Sequence, residues 1–342
     1  MRALVIHAAR DLRVEDRDPG RLGAGQVMVR VKAGGICGSD LHYFNHGGFG
    51  VIKLQEPMIL GHEVAGEIIE IASDVSSLSL GDQVAVNPSR PCAHCRYCLQ
   101  GLPNQCVDMR FYGSAMRMPH VQGAFRELLV CDAVQCEAAM NATAAQLALV
   151  EPFAVALHAI SRAGPLLGQR ILITGCGPIG ALVVAAARFH GAAEIIVTDV
   201  VDEPLAIART LGADCTINVA TEPETLAALA ADKGSVGVMF ECSGNERALR
   251  AGLDVMQPRG IVVQLGLGGD VSLPQNLVVA KEISIMGSFR FHAEFALAVR
   301  LIDERKVDLQ PLLATSFGLE EAKQAFEMAN DRRQAMKVQL VF

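Results

Sequence analysis

The chain has 342 residues, a formal net charge of −7 and a hydrophobic fraction of 51%. That length suits two domains with ample buried cores, and an acidic balance without any block of basic residues excludes a nucleic-acid surface and leaves small molecules as the partner class. No apolar run approaches the roughly 20 residues that cross a bilayer, and the short N-terminal run is no secretion signal; a cytoplasmic protein is expected, in which the ten cysteines stay reduced rather than forming a disulfide scaffold.

In chain order, the first third is rich in glycine and β-branched residues. Residues 27–31 (VMVRV), 63–71 (EVAGEIIEI) and 83–86 (QVAV) read as strands, with a turn at Gly81-Asp82. Residues 88–106 form a loop in which Cys92, Cys95, Cys98 and Cys106 are spaced C-x2-C-x2-C-x7-C. Four thiolates satisfy a tetrahedral Zn²⁺ completely, so the spacing predicts a closed, structural metal site. An iron–sulfur cluster is the other group four cysteines can hold, but nothing else in the chain points to electron transfer.

The character changes near Ala138. Residues 138–167 are alanine-rich and read as helical, and then strands and helices alternate. Short apolar strands are expected at 171–174, 195–198, 215–219, 236–241, 261–265 and 282–286, with helices at 179–190 (stopped by Gly191) and 204–211. Six such strands separated by helices imply a parallel sheet covered on both faces. After Gly287 the pattern ends, and the terminal KVQLVF is expected to return to the first domain.

The stretch ILITGCGPIG at 171–180 contains G-x-G-x-x-G as Gly175, Gly177 and Gly180, with Pro178 and Ile179 between the last two. It follows a predicted strand and opens a predicted helix, the context that dinucleotide binding needs. Gly175 serves the tight turn, Gly177 the approach of a pyrophosphate, and Gly180 close helix–strand packing; the helix N-terminus faces the phosphates. Asp199 lies nineteen residues after Gly180, placed to bind ribose hydroxyls, which favours NAD. Asp202 and Glu203 follow, and no Arg or Lys is nearby to counter them, so a 2′-phosphate is expected to be repelled.

A second set of metal-ligand types is scattered. GGICGSDLHY groups Cys37, Ser39, Asp40, His42 and Tyr43; GHEVAGE holds His62 and Glu63; Glu151 precedes the nucleotide-binding stretch. Cysteine, histidine and carboxylate leave an open position on zinc, as a catalytic site requires. Spacing alone leaves open a strand-end histidine beside an exposed acid.

GGICGSDLHY, GHEVAGE, the four-cysteine loop, Glu151-Pro152 and GCGPIG occur in the order of the zinc-dependent medium-chain dehydrogenases. The chain resembles the polyol (sorbitol-type) branch of that family over essentially its whole length. The resemblance implies an α/β protein with a GroES-like β-domain, carrying the catalytic zinc, at 1–149 and 288–342, and a Rossmann doubly wound parallel-sheet domain at 150–287. The active site would lie in the cleft between them.

It further implies Cys37 and His62 as ligands of the catalytic zinc, Glu63 as ligand or near-ligand, and Glu151 reaching the metal directly or through water. Asp40 would orient the ligating histidine, and Ser39, helped by His42 or the nicotinamide ribose, would carry the alcohol proton away. Two zinc ions per chain, NAD (with NADP as second cofactor) and a homotetramer or homodimer, with the apolar stretch 283–286 as a contact edge, complete the expectation. A non-catalytic relative would have lost Cys37 or His62, and both are present.

DMRFYGSAM, PHVQGAF and GSFRF are similar to segments of sugar-acid enzymes in this branch. The implied reaction oxidises a secondary alcohol of such an acid, L-idonate to 5-keto-D-gluconate, with sorbitol, xylitol and L-threonine as alternative substrates. Arginine's planar fork suits a carboxylate, which makes Arg290, Arg110 and Arg117 candidates, Arg290 first because an arginine matches there in the polyol enzymes. Tyr43, Phe111 and Phe291 are expected to line the pocket. One departure stands out: polyol enzymes often carry an arginine about five residues after the ribose-binding acid, where this chain has Pro204.

Overall fold

Val27, Val29 and Val31 are buried while Arg30 between them reaches solvent, so the strand Gln26–Gly35 has one face for a core and one for water. The computed structural model describes residues 1–342. Gln26–Gly35 lies within a seven-stranded sheet, flanked by Glu63–Ile71, then Gln83–Val86 and Cys136–Ala139 on one side, and Lys337–Val341 and Leu313–Gly318 on the other, with Leu128–Asp132 also paired to it. Its core holds Val29, Val84, Phe125, Leu129 and Phe326. Lys337–Val341 pairs antiparallel with Gln26–Gly35, so the C-terminal segment is a strand of the N-terminal sheet.

The predicted helix over 138–167 resolves into three pieces. Cys136–Ala139 is a strand paired with Gln83–Val86, Ala144–Leu147 is one helical turn capped by Thr143, and Val150–Ala163 is a long helix. Alanine-rich composition reports helix propensity, but a ladder to a distant strand overrides it at 136–139.

Residues 170–287 form a six-stranded parallel sheet in the order Cys215–Asn218, Glu194–Asp199, Arg170–Thr174, Val236–Glu241, Met256–Gln264, Ser284–Gly287. Ile171, Leu172 and Ile173 are fully buried, as strands covered by helices on both faces must be. This is the doubly wound order of a Rossmann fold. It reverses direction between Arg170–Thr174 and Val236–Glu241, which leaves a crevice at their carboxyl ends. No helix is long and apolar enough to cross a membrane.

The boundary placed at 288 does not mark a change in packing. In helix Glu294–Asp303, Phe295, Val299 and Ile302 are buried in the same core as Val150, Phe153, Leu157 and the helices of the parallel sheet. Their spacing is one helical face, and that face must close on an apolar neighbour. At the helix ends, Glu294 Oε1 lies 3.0 Å from His158 Nδ1, and Asp303 Oδ1 accepts N–H bonds from Met140 (3.0 Å), Asn141 (2.6 Å) and Ala142 (2.9 Å). The chain rejoins the antiparallel sheet only at Leu313–Gly318.

Candidate active site

Gly35 and Glu63 are direct partners across two antiparallel strands, which brings the residues just past the first strand beside those just before the second. Cys37 caps the helix Gly38–His46, and His62 precedes the strand that Glu63 opens. The Cys37 Sγ, a His62 ring nitrogen and a Glu63 carboxylate oxygen all lie within 4.8 Å of one another.

Asp40 ties the two segments together. Fully buried, it accepts the Cys37 N–H at 3.0 Å on Oδ2 and the Gly61 N–H at 3.1 Å on Oδ1, and Oδ1 stands 3.8 Å from His62 Nδ1. Burial pushes the Cys37 thiol up to about 12, and the Glu63 charge adds to it. Donors so desolvated and mutually repulsive are stabilised by a bound cation, and the thiolate, imidazole and carboxylate types present fit Zn²⁺.

Glu151 sits in the first turn of Val150–Ala163. Burial raises its carboxyl to about 8, with His62 opposing and Glu63 and Cys37 reinforcing the rise. It is near enough to feel all three donors but is outside their 4.8 Å group. Ser39 is half-buried and His42, one helical turn on, is exposed; burial and His46 lower the His42 pKa.

Sequence reading missed Lys337. Its Nζ is 2.6 Å from Glu63 Oε1 and also contacts Oε2, with the two side chains 3% and 1% exposed. Burial alone would lower the Lys337 pKa, but Glu63 and Cys37 outweigh it and the net shift is upward. A lysine in a terminal strand carries no local signal of such a role.

The loop cysteines converge. The sulfurs of Cys92, Cys95, Cys98 and Cys106 lie within 4.8 Å of one another, with Cys95–Cys98 at 3.6 Å and Cys95–Cys106 at 4.0 Å. Zn–S bonds of about 2.3 Å in a tetrahedron place sulfurs about 3.8 Å apart, so the cage has the right size. Cys92 N–H points to Cys106 Sγ at 3.2 Å and Cys95 N–H to Cys92 Sγ at 3.4 Å. N–H groups of Cys98 and Val107 hold the Cys95 thiol down to about 6.

The glycine loop opens onto the crevice of the parallel sheet. Gly175 has φ of 84°, a turn conformation that suits glycine. A Cβ on Gly180 would lie 2.0 Å from Gly175 O, whereas one on Gly177 would meet nothing within 4 Å. Gly177 caps the helix Pro178–Phe189, whose next residue is Ile179. It borders a cavity of about 1020 Å³ that is also lined by Asp199, Ser243, Arg247 and Arg332. The open cradle at a helix N-terminus fits a dinucleotide's phosphates.

Gly177→Ala is therefore expected to fold with stability within about 0.5 kcal/mol of the parent but to bind NADH about tenfold more weakly. Gly180→Ala should instead lose stability. Thermal melts beside NADH titrations separate the two, and unchanged NADH affinity in Gly177→Ala would remove the pyrophosphate from this loop.

Of the substrate candidates, Phe111 lies beside His62 and Arg290 lies against Phe111. The Phe111 ring centroid is 5.4 Å from that of His62, and the Arg290 guanidinium stacks over Phe111 at 4.4 Å and over Phe289 at 4.8 Å. Tyr43 and Phe291 are packed in the hydrophobic cores. Tyr43 is buried, with its hydroxyl accepting the Ala115 N–H at 2.9 Å, and buried Phe291 stacks on Phe295. Both aromatics fill cores, a use that residue type alone does not distinguish from a pocket wall. Arg110 is exposed opposite Arg90, and Arg117 is paired with Asp108 at 3.1 Å.

The expectation that no cation stands near Asp199 is overturned. Arg332 Nη1 lies 3.2 Å from Asp199 Oδ2, brought there by the fold from 133 residues away.

Residues 23–140 match the family model of the alcohol dehydrogenase GroES-like domain, and residues 178–304 that of the zinc-binding dehydrogenase. The chain is 43% identical over 318 residues to L-idonate 5-dehydrogenase (NAD(P)(+)) of Escherichia coli strain K12, covering 92% of each chain. It is 34% identical to sorbitol dehydrogenase of Gallus gallus, covering 99% of this chain and 95% of that one. The crystal structure of L-idonate 5-dehydrogenase from E. coli superposes with a TM-score of 0.93 at 40% identity, covering 100% of this chain and 98% of the other. Two donor groups suited to zinc, a Rossmann sheet with its glycine cradle and likeness over nearly the whole length lead to one assignment: the chain belongs to the zinc-dependent medium-chain dehydrogenases, oxidoreductases that pass hydride between an alcohol and a nicotinamide dinucleotide.

Proposed function

We propose that the protein oxidises a secondary alcohol of a sugar acid, L-idonate to 5-keto-D-gluconate, with NAD(P) as hydride acceptor. One observation carries the choice of an anionic substrate. Arg290 is a half-buried guanidinium one aromatic ring from His62, and it makes no ion pair within 4 Å; its one side-chain hydrogen bond is to Met116 Sδ at 3.5 Å. Burial lowers its pKa, with Glu151 opposing. A desolvated cation without a carboxylate partner favours a ligand that brings one. The name of the E. coli relative points the same way.

Bound zinc supplies a Lewis acid that acidifies the substrate hydroxyl, and the nicotinamide accepts the hydride. The chain's own residues do the rest. Cys37 and His62 would hold the metal, with Glu63 as ligand or near-ligand and Glu151 reaching it directly or through water, and Asp40 fixes both donor segments. Ser39 takes the hydroxyl proton and His42, three residues on along the same helix, passes it to solvent. Arg290 grips the carboxylate while Phe111 walls the site. Cys92, Cys95, Cys98 and Cys106 hold a second zinc that pins the loop, and Gly175, Gly177, Gly180 and Asp199 seat the dinucleotide.

Initial rates over L-idonate, D-gluconate, sorbitol, xylitol and L-threonine test the reading. L-idonate should be preferred, and Arg290→Ala should raise its KM about tenfold or more, as loss of a charge-assisted contact does, while sorbitol kinetics hardly move. Equal losses for both substrates, or a preference for a neutral polyol, would refute the sugar-acid assignment.

A further inference from the structure

Asp199 ends its strand at the carboxyl edge of the parallel sheet, where an acid is expected to take the ribose diol. Its side chain is only 3% exposed, and its acceptor positions are occupied. Oδ2 takes the Cys176 N–H at 2.7 Å, and Oδ1 takes the N–H groups of Val200 (2.7 Å) and Val201 (3.1 Å). On the remaining side stands Arg332, with Nη1 3.2 Å from Oδ2 and 3.5 Å from Oδ1.

Arg332 comes from the turn between helix Ala322–Ala329 and strand Lys337–Val341, both packed in the antiparallel domain. The pair therefore crosses from one domain to the other at the cofactor cavity. The guanidinium is 45% exposed and lines the same cavity as Gly175, Gly177 and Asp199. Arg247, Asp254 and Asp199 are the other charged side chains on that wall, so its formal charge is zero, not the negative value implied by Asp199, Asp202 and Glu203 in sequence. An acid alone would repel a 2′-phosphate; an acid paired with a guanidinium that is 45% exposed would not.

We propose that Arg332 reads the adenosine 2′ position: it pairs with the 2′-phosphate of NADP and gives way to let Asp199 bind the diol of NAD, so that one pocket accepts both. The proposal rests on the reading of this crevice as the dinucleotide site. It assigns to the C-terminal segment the cation that Pro204 does not supply beside the strand.

The test is to titrate the zinc-loaded full-length protein and its Arg332→Ala and Arg332→Lys variants with NADH and with NADPH. Nicotinamide fluorescence is the readout, since the chain has no tryptophan to interfere, with calorimetry beside it. The wild type should bind both. Arg332→Ala should raise the NADPH Kd about tenfold or more, the loss of one charge-assisted contact, and the NADH Kd by less than about threefold. Arg332→Lys, which keeps the charge without the fork, should fall between. Added salt should weaken NADPH more than NADH in the wild type, and the difference should shrink in Arg332→Ala. An NADPH constant unmoved by Arg332→Ala, or equal losses for both cofactors, would overturn this role while leaving the crevice a dinucleotide site. Failure of the wild type to bind either dinucleotide would overturn the crevice assignment itself, and this role with it.

Discussion

Cys37→Ser is expected to leave one zinc ion per chain instead of two and to lower kcat/KM by about 10³-fold or more. The magnitude follows from Lewis-acid stabilisation of several kcal/mol, with each 1.36 kcal/mol worth about tenfold in rate. The two donor groups share no residue, so the four-cysteine cage should keep its ion. The fold should survive as well: the contact Cys37 makes to Asp40 runs through its backbone N–H, which serine retains. Metal analysis and initial rates on the same preparation decide the matter. Full zinc and full activity would remove Cys37 from the site, and loss of both ions would signal unfolding rather than loss of a ligand.

Lys337→Met is expected to lower the unfolding free energy by about 3 kcal/mol, the scale seen when one partner of a buried ion pair is removed and the other charge is left stranded. Glu63 is that stranded charge, 1% exposed at the opening of its strand. The Lys337→Met/Glu63→Gln double variant should regain most of the loss, because it removes both charges together. Urea unfolding with only the four-cysteine cage metallated, so that no ion beside Cys37 and His62 compensates Glu63, gives the comparison. A single-variant loss under about 1 kcal/mol, the range of exposed pairs, would mean that Lys337 is not what neutralises Glu63.

Lys337 and Arg332 show where sequence reading stops. The four-cysteine cage was legible because its donors lie within fifteen consecutive residues, 92–106, and thiolate chemistry at that spacing has few uses. The six strands of the parallel sheet were legible because a strand covered on both faces must be apolar throughout, and each run is punctuated by a helix. Cys37, His62 and Glu63 were suspected from residue type, but only the Gly35–Glu63 register brings them together. Phe111 and Phe291 had equal standing in the sequence; one faces His62 and the other fills a core, because an aromatic ring suits either place.

What the chain by itself determined, then, is the chemistry that local spacing can carry: a thiolate cage, a phosphate cradle at a helix start, and alternating strands and helices. Tertiary structure alone decided the charge balance. The cation for Glu63 comes from 274 residues away and the one for Asp199 from 133. A buried carboxylate requires a counter-charge but does not specify where along the chain it must come from. Hydrophobic periodicity places strands on a sheet, whereas pairing between sheets and across domains depends on which faces close on one another, and that closure is a property of the whole fold.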